Sequence, residues 1–200
     1  MRIRERSALS ILLLVSASAL AAQTPAGRGN AARPRPIQIM TLAPSDWKDG
    51  AMLPERHAQR GRDVSPALTW SGGPSGASSY VLLVHDIDAP SAGGADDALH
   101  WLVWNIPGSA TGIQEGVTAG GQRPDGSRQI SMSGPYYRGP AAPATGPIHH
   151  YVFEVFALDT LVNVPAVGAS PADTRAAVRA AMTGHIRGKG SLVALYRRNP

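Results

Sequence analysis

The sequence contains no cysteine. Such a chain forms no disulfide, so packing alone must hold its fold, and thiol catalysis and zinc–thiolate sites are excluded. Beyond the N-terminal segment, the sequence contains no apolar run long enough to span a membrane, and it contains no internal repeat. The length of 200 residues suits one domain with a sizeable core.

The main part of the chain also lacks net charge, although the whole chain carries a formal charge of +5. Residues 1–22 hold three arginines and one glutamate, and residues 23–36 hold three arginines and no acidic residue. The 13 basic and 13 acidic residues of residues 37–200 balance each other. A neutral domain has no electrostatic footprint for nucleic acid, so we expect no nucleic-acid partner.

The first 22 residues have the pattern of a secretory signal peptide. A basic start precedes an apolar run of about 13 residues and the small-residue spacing Ala19-x-Ala21. An uncleaved membrane anchor is the alternative, but the run is shorter than the roughly 20 residues that span a bilayer. We therefore predict a cleaved leader over 1–22, a Pro/Gly/Arg-rich linker over 23–36 and an exported domain over 37–200, periplasmic or secreted.

The domain itself is predicted to be mainly β. Its glycines and prolines are spread along the chain, as is typical of many short strands joined by turns. The predicted strands are 37–42, 67–70, 79–86, 99–106, 149–159 and 191–198. Several are apolar almost throughout, which indicates burial on both faces. We expect a β-sandwich with long Gly/Pro loops and a C-terminal helix, which Ser170 or Asp173 can cap and Gly184 can end.

Two segments are predicted as long loops, residues 89–98 and residues 107–148. A loop of about forty residues in a compact domain is usually functional or hides an element of its own. The sequence "RQISM", at 128–132, is a candidate for such a hidden strand.

Polar side chains collect where the apolar strands begin or end. In "SYVLLVHDIDAP", Asp86 and Asp88 lie two residues apart, so extended backbone would place both on one side. His100 opens the next strand, and antiparallel pairing would bring it to the same edge. His149 and Tyr151 share one face at the start of a later strand. Each residue alone fits a solvated strand end or a core position, but together they indicate a pocket at one end of the sandwich.

The order of three motifs, "DIDAP", "HWLVWNIPG" and "YRGPAAPATGPIHHYVFEVFALD", resembles the phosphatidylethanolamine-binding protein family. The resemblance is closest to its bacterial Raf-kinase-inhibitor-like branch and covers residues 37–198. It implies a Greek-key β-sandwich with a small anion-binding pocket, without catalysis and without a cofactor or metal. By position, it implies these ligand-binding residues: Asp86, Asp88, Pro90, His100, Gly139, Pro140, Pro143, His149 and Tyr151.

The sequence departs from the family pattern at several of these places. Ile87 stands where the family has the first proline of the acidic loop, and Ala142-Pro143 replaces a pair of prolines. His150 replaces the arginine of the family's "H-R-Y", and by alternation it points away from His149. The C-terminal helix that closes the site in animal members has no counterpart.

We therefore expect an exported, non-enzymatic protein that binds a small phosphorylated or otherwise anionic ligand, such as a phospholipid head group. His100 and His149 would donate to the phosphate, while Asp86 or Asp88 would orient a histidine or accept an ammonium group. An inhibitor of a secreted serine protease is the alternative. A metal-assisted hydrolase is less favoured, since no nucleophile–base pair occurs at a motif spacing, and the leader argues against kinase regulation. The sequence leaves open whether the domain forms a homodimer.

Overall fold

Two β-sheets account for most of the regular structure in the computed structural model, which describes residues 36–166 and 168–200. The predicted signal peptide and all but the last residue of the predicted linker lie outside the described residues. Within the described part, no helix is both long enough and apolar enough to cross a membrane.

The strands are β1 (Gln38–Ile39), β2 (Thr41–Pro44), β3 (Leu68–Ser71), β4 (Ser79–Ser91), β5 (Asp96–Pro107), β6 (Gly112–Ile113), β7 (Arg128–Ile130), β8 (His149–Leu158) and β9 (Ile186–Tyr196). The helix α1 covers Pro171–Met182, and short 3-10 turns cover Glu55–His57 and Ala92–Gly94.

The larger sheet has six strands in the order β1-β9-β8-β4-β5-β7, and the smaller has three in the order β2-β3-β6. In the larger sheet β4, β5 and β7 are consecutive antiparallel neighbours, and β8 returns to pair with the other edge of β4. This is the strand order of a Greek key. The predicted fold class, a mainly β Greek-key sandwich with one late helix, is confirmed.

The larger sheet is buried on both faces, which explains its apolar strands. On its inner face, Leu82 and Phe153 pack with Trp70 of the smaller sheet in one apolar cluster. On its outer face, Leu83 packs in a second cluster with Val178 of α1. Burial on two faces removes the alternation of polar and apolar residues that a half-exposed strand would show.

The segment 89–98 is not the long loop that the sequence predicted. β4 continues to Ser91 and β5 begins at Asp96, so the two form one long hairpin. Gly93 and Gly94 both take positive φ angles and make the turn. The prediction was wrong because glycine and small residues were interpreted as loop composition when only the tip of the hairpin needs them.

Two other boundaries also differ from the prediction. β9 begins at Ile186, five residues before the predicted strand, and passes close to the β1–β2 segment. Gly190 lies within this strand, and a Cβ there would lie 2.6 Å from the carbonyl oxygen of Met40, so the close approach of the two segments requires glycine. The segment 107–148 contains β6 and β7, and β7 is the strand suspected in "RQISM".

The helix begins and ends where the capping residues predict. The Ser170 hydroxyl accepts a hydrogen bond from the backbone N–H of Asp173, and Gly184 takes a φ of +81° just beyond the helix. Helix α1 covers the outer face of the larger sheet at the side remote from the smaller sheet.

The segment before α1 is fastened to the sheet by one strained residue. Asn105, in β5, has a φ of +58°, and its side chain donates to the Val162 carbonyl at 2.9 Å and accepts from the Val162 N–H at 2.8 Å. Asparagine tolerates the left-handed region better than most residues, and here it also supplies both bonds.

We predict that Asn105→Ala lowers the free energy of unfolding by about 2 kcal/mol, because it loses both hydrogen bonds and keeps the strained backbone. Asn105→Gly loses the same bonds but relieves the strain, so it should lie between the wild type and the alanine variant in urea denaturation. A glycine variant no more stable than the alanine variant would contradict this explanation.

Candidate functional site

A bulge in β5 brings His100 to the inner side of the larger sheet. Val84 pairs with Trp101 and His85 pairs with Leu99, so His100, which lies between them, has no partner on β4. A bulge of this kind changes the face of the sheet to which a side chain points. The His100 ring lies edge-on to the ring of Tyr151, with centroids 5.1 Å apart.

Asp86 is the buried centre of the polar cluster, with 2% of its surface exposed. Its Oδ2 accepts from Nδ1 of His149 at 2.9 Å, and its Oδ1 accepts from the backbone N–H of Asp88 at 3.0 Å. Asp86 also pairs with Tyr151 across the β4–β8 ladder. The Asp86 carboxylate therefore fixes the orientation of the His149 ring through Nδ1, and the Nε2 of that ring points away from Asp86.

Asp88 does not share the surroundings of Asp86. The pairing of β4 with β5 shifts between Asp86 and Pro90, so the regular alternation stops at Asp86. The Asp88 carboxylate instead accepts from the backbone N–H of His150 at 2.6 Å and pairs with its Nδ1 at 2.8 Å. Burial alone would raise the pKa of Asp88, but the bonds from His150 lower it. The expectation that both aspartates face one side was wrong, because it assumed an unbroken strand.

His100 is held in one tautomer by its surroundings. Its Nδ1 lies 2.7 Å from the Arg138 carbonyl oxygen, which can only accept, so Nδ1 carries the proton. Burial lowers the pKa of His100, although the bond to the carbonyl acts in the opposite direction. The neutral ring therefore leaves Nε2 as an acceptor and not as a donor.

Tyr151 closes the inner side of the cluster and is 1% exposed. Its hydroxyl oxygen accepts from the backbone N–H groups of Ala141 and Ala142, each at 3.3 Å. Burial and the neighbouring Asp86 carboxylate raise the pKa of Tyr151 well above its usual value, so the phenol stays neutral. The tyrosine thus ties the Gly/Pro loop of residues 139–143 to β8.

The Gly/Pro loop is held from its other side by the segment that follows Glu55–His57. Gln59 donates from its side chain to the Gly139 carbonyl at 2.7 Å and from its backbone to the Pro140 carbonyl at 3.0 Å. The Gly139 N–H donates to the Asp63 carboxylate at 2.6 Å. A Cβ at Gly139 would overlap the His57 carbonyl, which explains why glycine stands there.

These elements enclose a cavity of about 330 Å³ at the end of β4, β5 and β8. Of the predicted site residues, the lining includes Asp86, His100, Pro143, His149 and Tyr151. The others lie outside it: Asp88 pairs with His150, Pro90 is an exposed residue of the hairpin, and Gly139 and Pro140 are buried in the loop wall.

Two arginines in the cavity wall were missed by the sequence analysis. Arg138 and Arg198 both line the cavity, and neither has a carboxylate within 4 Å among the described residues. The Nε of Arg198 is buried, and it has no hydrogen-bond partner among the described residues. Arg138 stands inside the quoted "YRGP" motif, but Arg198, in "YRRNP", carries no motif signal.

Comparison with known proteins gives a consistent result. The sequence profile of the phosphatidylethanolamine-binding protein family matches residues 43–197. The chain belongs to this family. A UPF0098 protein of Methanothermobacter thermautotrophicus is 40% identical over 161 residues, which cover 80% of this chain and 99% of that protein.

Two solved structures of the family support the same assignment. A phosphatidylethanolamine-binding protein homologue, CT736 of Chlamydia trachomatis, superposes with a TM-score of 0.66 at 26% identity. YbcL of Escherichia coli superposes with a TM-score of 0.64 at 27% identity. Each match covers 80% of this chain and 99% of the solved chain. The chain therefore falls in the bacterial branch of the family that its motifs resemble.

Within this member of the family, no group of three or more His, Asp or Glu side chains among residues 36–166 and 168–200 is arranged to hold a metal ion. The cavity instead combines one buried carboxylate, two histidines fixed by hydrogen bonds, a neutral phenol and two arginines. Such a set suits a ligand that carries both charges.

We predict that burial of His100 makes stability depend on pH. Below about pH 6.5 the unfolded chain takes up a proton on this histidine while the folded chain does not. The free energy of unfolding should therefore fall with decreasing pH, by up to about 1.4 kcal/mol per pH unit, until the lowered folded pKa is reached. His100→Gln should remove this component, which urea denaturation from pH 7 to pH 5 measures. Parallel pH profiles for the two proteins would contradict it.

We also predict that Gly139→Ala lowers the free energy of unfolding by about 2 kcal/mol, because the added methyl group meets rigid backbone and the Asp63 carboxylate. Gly73→Ala is the matched control, since its methyl group would meet only the flexible end of Met40 and the Tyr80 hydroxyl at 3.3 Å. Equal stability of the two variants in urea denaturation would contradict the explanation.

Proposed function

We propose that the cavity binds a small phosphorylated zwitterion of the phosphoethanolamine type. The observation that carries the proposal is the presence of Arg138 and Arg198 in the wall, each without a carboxylate partner in the described residues. Guanidinium groups suit phosphate because they donate two parallel hydrogen bonds.

The opposite charge of the ligand fits the other side of the same cavity. Asp86 supplies a buried negative charge, and Nε2 of neutral His100 supplies an acceptor. An ammonium group offers donors to both. The role proposed here for His100 therefore differs from the sequence-based expectation that it donates to phosphate, while His149 can still donate when it is protonated.

We propose binding without catalysis. The Asp86–His149 pair resembles the base half of a catalytic triad, but the described lining contains no serine, threonine or lysine that it could activate. A site of this size and openness to solvent suits modest affinity, with a Kd in the micromolar to millimolar range, or roughly −8 to −4 kcal/mol.

We also propose that the protein is exported. The proposal rests on the leader pattern of residues 1–22. Cell fractionation with determination of the N-terminal residue tests it. A chain recovered outside the cytoplasm that begins near Gln23, the first residue after the predicted leader, supports export, and an intact N-terminus on a cytoplasmic protein overturns it.

Arg198→Gln tests the phosphate contact. We expect it to weaken phosphoethanolamine binding about tenfold in calorimetry, which corresponds to about 1.4 kcal/mol for a lost charged hydrogen bond. Arg197→Gln is the matched control, because it makes the same charge change one residue away, where the exposed Arg197 side chain donates to the Gly146 carbonyl. Its affinity should stay within about twofold of wild type.

Two results would contradict the proposal. One is unchanged affinity in Arg198→Gln, and the other is an equal loss in both variants, which would indicate only a long-range effect of charge. Methyl phosphate, which lacks the ammonium group, should bind the wild type more weakly than phosphoethanolamine. Equal affinities would remove the role proposed for Asp86.

A further inference from the structure

A second cavity lies on the opposite face of the larger sheet, between the sheet and helix α1. It measures about 380 Å³. Its floor is apolar and consists of buried side chains, Val81, Leu83, Leu102 and Phe156. These residues belong to the outer apolar cluster, whereas the phosphate cavity lies on the inner side beside Tyr151. The two cavities are therefore separate sites, which we call the helix cavity and the phosphate cavity.

Two arginines of α1 stand at the wall of the helix cavity. Arg175 is 2% exposed, and its Nη1 lies 2.9 Å from Asp96 Oδ1 and 2.7 Å from Asp97 Oδ1. Its Nε is buried and has no hydrogen-bond partner within the described residues. A buried donor without an acceptor costs about 1–3 kcal/mol, and the two ion pairs of Arg175 hold its side chain in place at that cost.

Arg179 lies one helical turn further on and lines the same cavity. It is exposed, and no carboxylate in the described part of the chain lies within 4 Å of it. Arg175 is paired with Asp96 and Asp97, and Asp97 is also paired with His85, so Arg179 is the guanidinium of the wall that has no carboxylate partner among the described residues. The helix cavity therefore combines an apolar floor with one guanidinium group at its rim, that of Arg179, which has no carboxylate partner among the described residues.

We propose that the helix cavity binds a single-chain fatty carboxylate, with the acyl chain on the apolar floor and the carboxylate at Arg179. A monoanion matches one uncompensated guanidinium better than a phosphate dianion, which would lie near Asp96 and Asp97. The volume is near the lower end of the roughly 300–1,000 Å³ of small-molecule sites, so it suits one short chain and not a diacyl lipid. This site does not depend on the function proposed for the phosphate cavity.

Decanoate and decanol are the probes, added to the purified protein below about 1 mM in a displacement assay with a fluorescent fatty acid. Decanoate should bind at least about tenfold more tightly than decanol, because only the carboxylate pairs with Arg179. Arg179→Gln should remove that difference without changing decanol binding. Arg197→Gln, at the other end of β9, makes the same charge change and should alter neither.

Ala180→Trp provides the second variant. Ala180 lines the cavity but is exposed on the helix, so an indole there fills the cavity without altering the core. It should abolish binding of both probes while the melting temperature stays close to that of the wild type. Equal binding of decanoate and decanol by the wild type, a preference for decanoate that survives Arg179→Gln, decanoate binding that survives Ala180→Trp, or no decanoate binding to the wild type would overturn the proposal.

Discussion

The carboxylate of Asp86 lies almost fully buried where β4 and β8 reach the same edge of the sheet, and a charge in that position requires partners. The backbone N–H of Asp88 and the ring of His149 supply them. These bonds fix the irregular stretch of β4 that follows Asp86 and the orientation of the first residue of β8. The neighbouring bulge at His100 then completes the wall from β5. The geometry of the phosphate cavity follows from the need to satisfy this one carboxylate.

The charges of the cavity come from two sets of elements. Asp86 and the acceptor nitrogen of His100 lie on the sheet, where hydrogen bonds to the backbone hold them. Arg138 and Arg198 come from the loop and from the segment after β9. Because the negative and positive groups lie on different elements, a ligand with two charges can bridge them. A simple phosphate would offer no ammonium group to Asp86 and to Nε2 of His100.

The sequence predicts the fold well because the fold depends on patterns that alternate or persist along the chain. The apolar strands, the Ser170 cap and the pairing of β4 with β5 all follow from local composition and spacing. The site is less predictable because it occurs where these patterns stop. Asp86 and Asp88 would share one side in a regular strand, but the shift in pairing after Asp86 separates them.

Arg198 is a site residue that the local sequence pattern does not reveal. It follows the last strand in a run of basic residues that looks like a solvated end, and no spacing links it to the Gly/Pro loop. Only the folded chain shows that its backbone N–H donates to the Ala142 carbonyl and that its side chain joins the cavity wall. Contacts between segments far apart in the sequence leave no periodic pattern, so they cannot be predicted from a single sequence.

The most direct test of the central claim is a crystal structure of the protein with phosphoethanolamine bound. We expect the phosphate to lie within hydrogen-bond distance of the Arg138 and Arg198 guanidinium groups. We expect the ammonium group to point towards Asp86 and Nε2 of His100. A ligand in the reverse orientation, or one bound elsewhere on the protein, would contradict it.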